Sequence, residues 1–188
     1  MVSTTKLNKV LNFVLLQTLW FALVVGVVYE HILLGLGLFV VFAIWQLHPL
    51  NRKQTDIKLA ITLAVLGFVL DSLWLQLGLI SYEMQWPYPF VAPLWIVMLW
   101  FAFGLTINHS LAWIFDYKIV GVIIGGLGGP ISYLAAEKFG AVTLNNPVSA
   151  FAALAFGWTM VMVLIVTVFS PSAGQKQEIT GKREASWN

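Results

Sequence analysis

Long apolar runs separated by short polar breaks organise this chain. Residues 9–29, 32–47, 57–80, 93–115, 119–138 and 148–169 are each nearly free of charge. Between them lie the turn Glu30-His31, the segment HPLNRKQTD (48–56), the connection SYEMQWPYPFVA (81–92), the turn Asp116-Tyr117-Lys118, and Asn145-Asn146-Pro147. About 20 apolar residues cross a hydrocarbon core of roughly 30 Å at about 1.5 Å per residue. The prolines and charges of the breaks end one helix before the next begins. The pattern therefore predicts an all-α fold, a polytopic bundle of six transmembrane helices spanning residues 1–169. From Ser170 the chain turns small, polar and charged, too poor in apolar residues to fold alone, and residues 170–188 read as a disordered tail.

Composition agrees with the pattern. Hydrophobic residues make up 60%, charged residues 10%, and the mean hydropathy is +0.87, outside the balance of a soluble domain. The formal net charge is +2 and the basic residues are scattered, which excludes the basic stripe of a nucleic-acid binder. The absence of cysteine removes disulfides, thiolate metal sites and cysteine nucleophiles. The start MVSTTKLNKV resembles a signal-peptide n-region, but the apolar run to Val28 is too long for an h-region, so it reads as a retained helix. Six spans put Lys6, Lys9, Arg52, Lys53, Lys58, Lys118, Lys176, Lys182 and Arg183 on one side and Lys138 on the other. By the positive-inside rule both termini are expected in the cytoplasm.

Against this background a few polar residues stand out. His109, with Asn108 and Ser110, sits near the end of the fourth run, and helical spacing would place it on one face with Trp95, Ala102, Thr106 and Trp113. Asp71 sits past the middle of the third run, where a carboxylate is costly unless it faces protein. Ala60, Ala64, Gly67, Asp71, Trp74 and Gly78 share a stripe of the small kind that lets membrane helices approach closely. Asp71 is thus expected to contact the fifth helix near Ser132 or Tyr133, as a proton carrier or ligand contact, or as a carboxylate that only holds helices together. Counting depth puts Asp71 level with Tyr133 and Trp100, and His109 in a second layer with Gln17 and Gly125-Gly126, without a direct Asp71–His109 bond.

The fifth run carries Gly125, Gly129 and Pro130, either a broken helix of the transporter kind or a kinked packing helix. It lacks the preceding strand and the following Lys-Ser/Thr of a phosphate loop. His31 and His48 fall at opposite membrane faces with no paired ligand spacing, so no metal and no cofactor is expected. Leu19-Trp20-Phe21-Ala22 recurs as Leu99-Trp100-Phe101-Ala102, which is either a trace of an inverted repeat or chance in a chain of few residue types.

Asp71-Ser72-Leu73-Trp74, Pro93-Leu94-Trp95, His109-Ser110-Leu111-Ala112-Trp113 and Gly129-Pro130 followed by Tyr133 together resemble a family of uncharacterised bacterial inner-membrane proteins, over residues 9–169. The resemblance implies a multi-pass protein of the bacterial inner membrane, with a permease label on some members and a lipid-related setting. The expected activity is binding or transport of a small or lipid-like molecule between the third, fourth and fifth helices. Asp71, His109 and Tyr133 would supply polar contacts there, and Trp74, Trp95 and Trp100 an apolar wall. An intramembrane enzyme acting on lipid and a membrane scaffold are the alternatives. Expected partners are membrane lipids and that ligand, not nucleic acid, with self-association left open.

Overall fold

The computed structural model describes residues 4–170, with side chains from Lys6 onward. The expected tail, apart from Ser170, lies outside the described residues. Six α-helices are present: α1 (Thr4–Val28), α2 (Ile32–Leu47), α3 (Asp56–Gln76), α4 (Leu94–Gly104), α5 (Lys118–Phe139) and α6 (Pro147–Val168). A 3-10 helix covers Ala112–Phe115, and two short strands, β1 (Ile80–Tyr82) and β2 (Val142–Leu144), complete the described elements. Four helices, α1, α3, α5 and α6, are long and apolar enough to cross a membrane, with mean hydropathies of 1.8 to 2.3. Only 33–39% of each of those apolar windows is buried inside the protein. The outward faces carry Ile61, Val65, Phe68, Ile123, Ile131 and Phe156, an apolar girdle that water would not tolerate and lipid would.

The helices pack as three consecutive antiparallel pairs, α1 on α2, α3 on α4 and α5 on α6. At one end Asn12 meets Gln46, Asp56 meets His109, and the Lys58 ammonium lies over the Phe169 ring. At the other, β1 and β2 pair antiparallel with Ile80 opposite Leu144 and Tyr82 opposite Val142, and Trp20 and Phe21 meet Phe139 edge-on. Lys6, Lys9, Arg52, Lys53, Lys58 and Lys118 all fall at the first end, which is called the lysine end below. The strands exist because α3 and α5 stop at the same level. Gly78 and Gly140 take positive φ, 66° and 87°, the left-handed conformation that only glycine adopts freely. α6 then starts on Pro147, with Asn146 accepting from the Ser149 N–H.

The second helix has the bounds its apolar run predicts, 16 residues over Ile32–Leu47, but the fourth, expected over residues 93–115, ends at Gly104. The apolar pattern continues past Gly104, but the backbone does not. Thr106 Oγ donates to the Phe103 carbonyl, and the Leu111 N–H donates to the Thr106 carbonyl. Asn108, His109 and Ser110 find partners on α3, α2 and α1, which a continuous helix would turn to different azimuths. Trp95 and Ala102 therefore do not share a helix face with Thr106, His109 and Trp113.

Candidate functional site

The small-residue stripe of α3 does what its composition suggests. A Cβ on Gly67 would lie 2.0 Å from Cγ of Trp100, and one on Gly104 would lie 2.5 Å from Cα of Ala60. α4 thus lies directly on α3, with the Trp100 indole over Gly67. From there Trp100 Nε1 reaches Asp71 Oδ2, one turn further along α3, at 2.7 Å. Asp71 is fully buried. Its other oxygen, Oδ1, accepts from the Tyr82 hydroxyl at 2.5 Å and from the Tyr133 hydroxyl. Three donors from β1, α4 and α5 thus converge on one acceptor, and an indole N–H can only donate. The contact with Tyr133 was expected from the stripe; the contact with Tyr82, in what the pattern reads as a surface connection, was not.

A second polar layer lies toward the lysine end, and Asp71 has no bond to it. His109 Nε2 is 2.8 Å from Asp56 Oδ2 and 2.9 Å from Gln46 Nε2. Asp56 is fully buried and also accepts from the Lys53 N–H at 2.7 Å and from Asn108 Nδ2 at 2.7 Å. Lys53 Nζ caps the Asn108 carbonyl at 2.5 Å. Burial, and then the nearby Lys9 ammonium, hold the Lys53 amine below the ordinary lysine value, against the pull of Asp56. Asn12 joins α1 to this layer. Its Oδ1 accepts from Ser110 Oγ at 2.7 Å and the Ser110 N–H at 3.3 Å, while its Nδ2 donates to Gln46 Oε1 at 2.6 Å and the Leu105 carbonyl at 3.3 Å.

The direction of this chain is fixed by the backbone. The Ser110 N–H can only donate and the Leu105 carbonyl can only accept, so the Asn12 amide faces one way and the Gln46 amide must follow. Gln46 therefore presents an N–H to His109 Nε2. That nitrogen either carries a proton, which serves Asp56, or a lone pair, which serves Gln46. It cannot do both.

Between the pairs lies a cleft of about 370 Å³. Phe13, Leu16, Gln17, Trp20 and Val24 of α1 form one wall, α4 forms a second through Trp95, Leu99, Trp100 and Phe103, and the glycine face of α5 forms the third. The floor holds Trp158 and Met162 of α6, and the lysine end is closed by Ser110 and Trp113. Five of the nine tryptophans line it. The cavity exists because of α5, where Gly121, Gly125, Gly128 and Gly129 replace side chains with backbone on that face. α1 touches α5 only sparsely, and Phe13, Gln17 and Gly128 are exposed, so the cleft opens sideways between these two helices.

The cleft gathers some of the sequence-designated residues and leaves others aside. Trp95, Trp100, Tyr133, Gly125 and Gly129 line it. Asp71, Trp74, His109 and Pro130 do not. Trp74 packs edge-on to Tyr133 and against Gly157, on the far side near a shallow apolar groove between α3 and α6. Pro130 is buried within α5, which runs without interruption from Lys118 to Phe139. Gly125 and Gly129 pack closely on Met162 and Trp158. Asp71 thus reaches the cleft only through Tyr133 and Trp100, which it holds in the wall, and His109 only through the chain that ends at Ser110. Sequence reasoning passed over Asn12, Gln46 and Asp56. The first two carried a signal, since each is a lone amide in an apolar run.

These features define a membrane-type helical protein whose buried polar groups brace the wall of a tryptophan-lined cleft. The chain belongs to the family described as "Protein of unknown function (DUF2878)", whose model matches residues 9–164. No curated protein and no solved structure matches it.

Proposed function

We propose that this is an inner-membrane protein of six spans, folded over residues 1–169 with a polar tail over residues 170–188, that binds or moves a small or lipid-like molecule in the lateral cleft. The single observation behind this reading is the cleft itself, which is apolar, open between α1 and α5 toward the lipid-facing girdle, and within the size range of ligand pockets. In this reading α2 and the segment from α4 through the 3-10 helix cross the membrane beside the four long helices. The lysine end lies in the cytoplasm, by the same basic-residue asymmetry as before. The site then sits among α1, α4, α5 and α6. Asp71 and His109 act as positioning residues behind it, and only Trp95, Trp100 and Tyr133 of the expected contacts touch the ligand.

A scaffold role is the second reading, favoured by the internal saturation of Asp71. The two are separated by tryptophan fluorescence in nanodiscs containing a phospholipid brominated along its acyl chain. A ligand-binding cleft gives quenching that saturates with brominated lipid and is reduced by Gly128→Leu, which fills the cleft. Quenching that is identical in the two proteins supports the scaffold.

A further inference from the structure

The two helix faces that flank the side opening of the cleft both run out into lysine. On α1 the lining residues Phe13, Gln17, Trp20 and Val24 recur at helical spacing, and Lys9, one turn before Phe13, continues their stripe toward the lysine end. On α5 the lining residues Gly121, Gly125 and Gly128 do the same, and Lys118 stands three residues before Gly121. Both lysines are exposed, and among the described residues neither is in an ion pair. The acids at this end are committed elsewhere. Asp56 is buried and held by His109, Asn108 and the Lys53 N–H, and Asp116 has contacts of its own. Lys53, whose amine is held below the ordinary value by burial and then by the Lys9 ammonium, brings further positive charge to the same rim.

The cleft itself has the dimensions of a hydrocarbon chain. Its wall on α5 runs from Gly121 to Ala136, about 22 Å at about 1.5 Å per residue. That exceeds the roughly 15 Å of half-core that the chains of one leaflet fill. At about 30 Å³ per methylene, the share of one water molecule in the liquid, the 370 Å³ of the cleft takes roughly a dozen methylenes, which is one chain and not two. The opening faces the lipid girdle, and α1 and α5 meet only sparsely, with Trp20 and Phe21 against Phe139 at the far end.

We propose that the cleft admits one acyl chain of an anionic glycerophospholipid from the leaflet at the lysine end, with its second chain left in the bilayer and its phosphate between Lys9 and Lys118. This rests on the reading of the cleft as a ligand site. The phosphate of such a lipid lies in the headgroup layer, just beyond the hydrocarbon core, and lysine meets it as a point charge. Lys9 and Lys118 stand at that level because each lies about one turn outside the first lining residue of its helix.

The test places the full-length protein in nanodiscs of unbrominated phosphatidylcholine and adds increasing fractions of a phospholipid brominated along one acyl chain. Two forms with identical chains are compared, phosphatidylglycerol, which is anionic, and phosphatidylcholine, which is zwitterionic. Five of the nine tryptophans line the cleft, so chain entry is read as the saturable tryptophan quenching that Gly128→Leu removes. The wild type should half-saturate at a lower fraction of the glycerol form, by about fivefold for each lysine engaged, the worth of one lysine beside an anionic headgroup. Lys9→Gln and Lys118→Gln should each lose about fivefold of that preference, with the unfolding temperature and the quenching by the choline form unchanged. Lys58→Gln removes the same charge at the same end but away from the cleft, where its ammonium lies over Phe169, and should leave the preference intact. Equal half-saturation by the two lipids in the wild type overturns the proposal while leaving the cleft reading intact. So does a preference that survives both Lys9→Gln and Lys118→Gln, or one that Lys58→Gln lowers as much as they do. Absence of any saturable quenching removes both.

Discussion

Two adjacent glycines on α5 should respond oppositely to substitution, because only one of them faces open space. A Cβ built on Gly128 meets nothing within 4 Å, whereas one on Gly129 lies 2.1 Å from Cδ2 of Trp158. The Trp158 ring cannot retreat, since Trp100 stacks on its other face and Phe103 closes its edge at 5.3 Å. Gly129→Ala therefore forces α5 away from α6 or breaks the stack. Overpacking of this kind costs about 1–3 kcal/mol, and the roughly 1 kcal/mol gain in helix propensity does not offset it. Gly128→Leu gains most of that propensity with no clash and places a branched side chain in the cleft. Thermal unfolding in detergent should show Gly129→Ala less stable than wild type and Gly128→Leu equal or more stable. Binding of a brominated acyl probe should fall in the stable Gly128→Leu variant. A Gly128→Leu protein that unfolds as early as Gly129→Ala, or binds the probe like wild type, refutes the reasoning.

Asp71→Asn should lower stability by about 1–3 kcal/mol, because an amide cannot accept from all three donors and leaves at least one unpaired; a shift no larger than the roughly 0.6 kcal/mol of an average interhelical hydrogen bond would show that the cluster relaxes freely. Asp56→Ala strands the Lys53 N–H, Asn108 and His109 together, and should cost about 3 kcal/mol or more. A double-mutant cycle with His109→Ala should return a coupling above about 1 kcal/mol, and additivity would remove the pair from the account. Ser110→Ala breaks the link between Asn12 and the cleft while sparing the backbone N–H, so it should cost under about 1.5 kcal/mol and leave the fold, judged by circular dichroism, unchanged.

The parts of this protein legible in its sequence are those set by periodicity. Runs of apolar residues marked the helices, and the stripe of Ala60, Gly67 and Asp71 placed the carboxylate against α5 near Tyr133, where it is found. The separation of Asp71 and His109 into two layers followed from rise per residue alone. What periodicity hides is backbone departure within an apolar run. Residues 105–111 read as helix because Leu105, Ile107 and Leu111 continue the apolar run, yet polar side chains at 106 and 108–110 draw the chain out of register. Asp56 was hidden for the opposite reason. It stands at the edge of the charge-rich segment 48–56, where a pattern reading assigns carboxylates to solvent, and only the structure shows Asn108 and His109 folding over it. The cleft was half visible, in that the glycines of α5 signalled close approach. Gly125 and Gly129, four residues apart, do pack closely on α6 as that spacing suggests, whereas Gly128 lies off that step and faces space. Because Asp71 and His109 stand behind the cleft rather than in it, substitutions there should register first in folding.

The central claim, that the cleft holds an apolar molecule, is tested most directly by extracting and weighing what the purified protein carries. Wild-type protein and Gly128→Leu, isolated in the same mild detergent and washed equally, should be denatured and their organic extracts compared by mass spectrometry. The account predicts an apolar molecule present at a fixed ratio to wild-type protein and depleted in Gly128→Leu. Identical extracts from the two proteins, or extracts containing only bulk membrane lipid in proportions that vary between preparations, would contradict it.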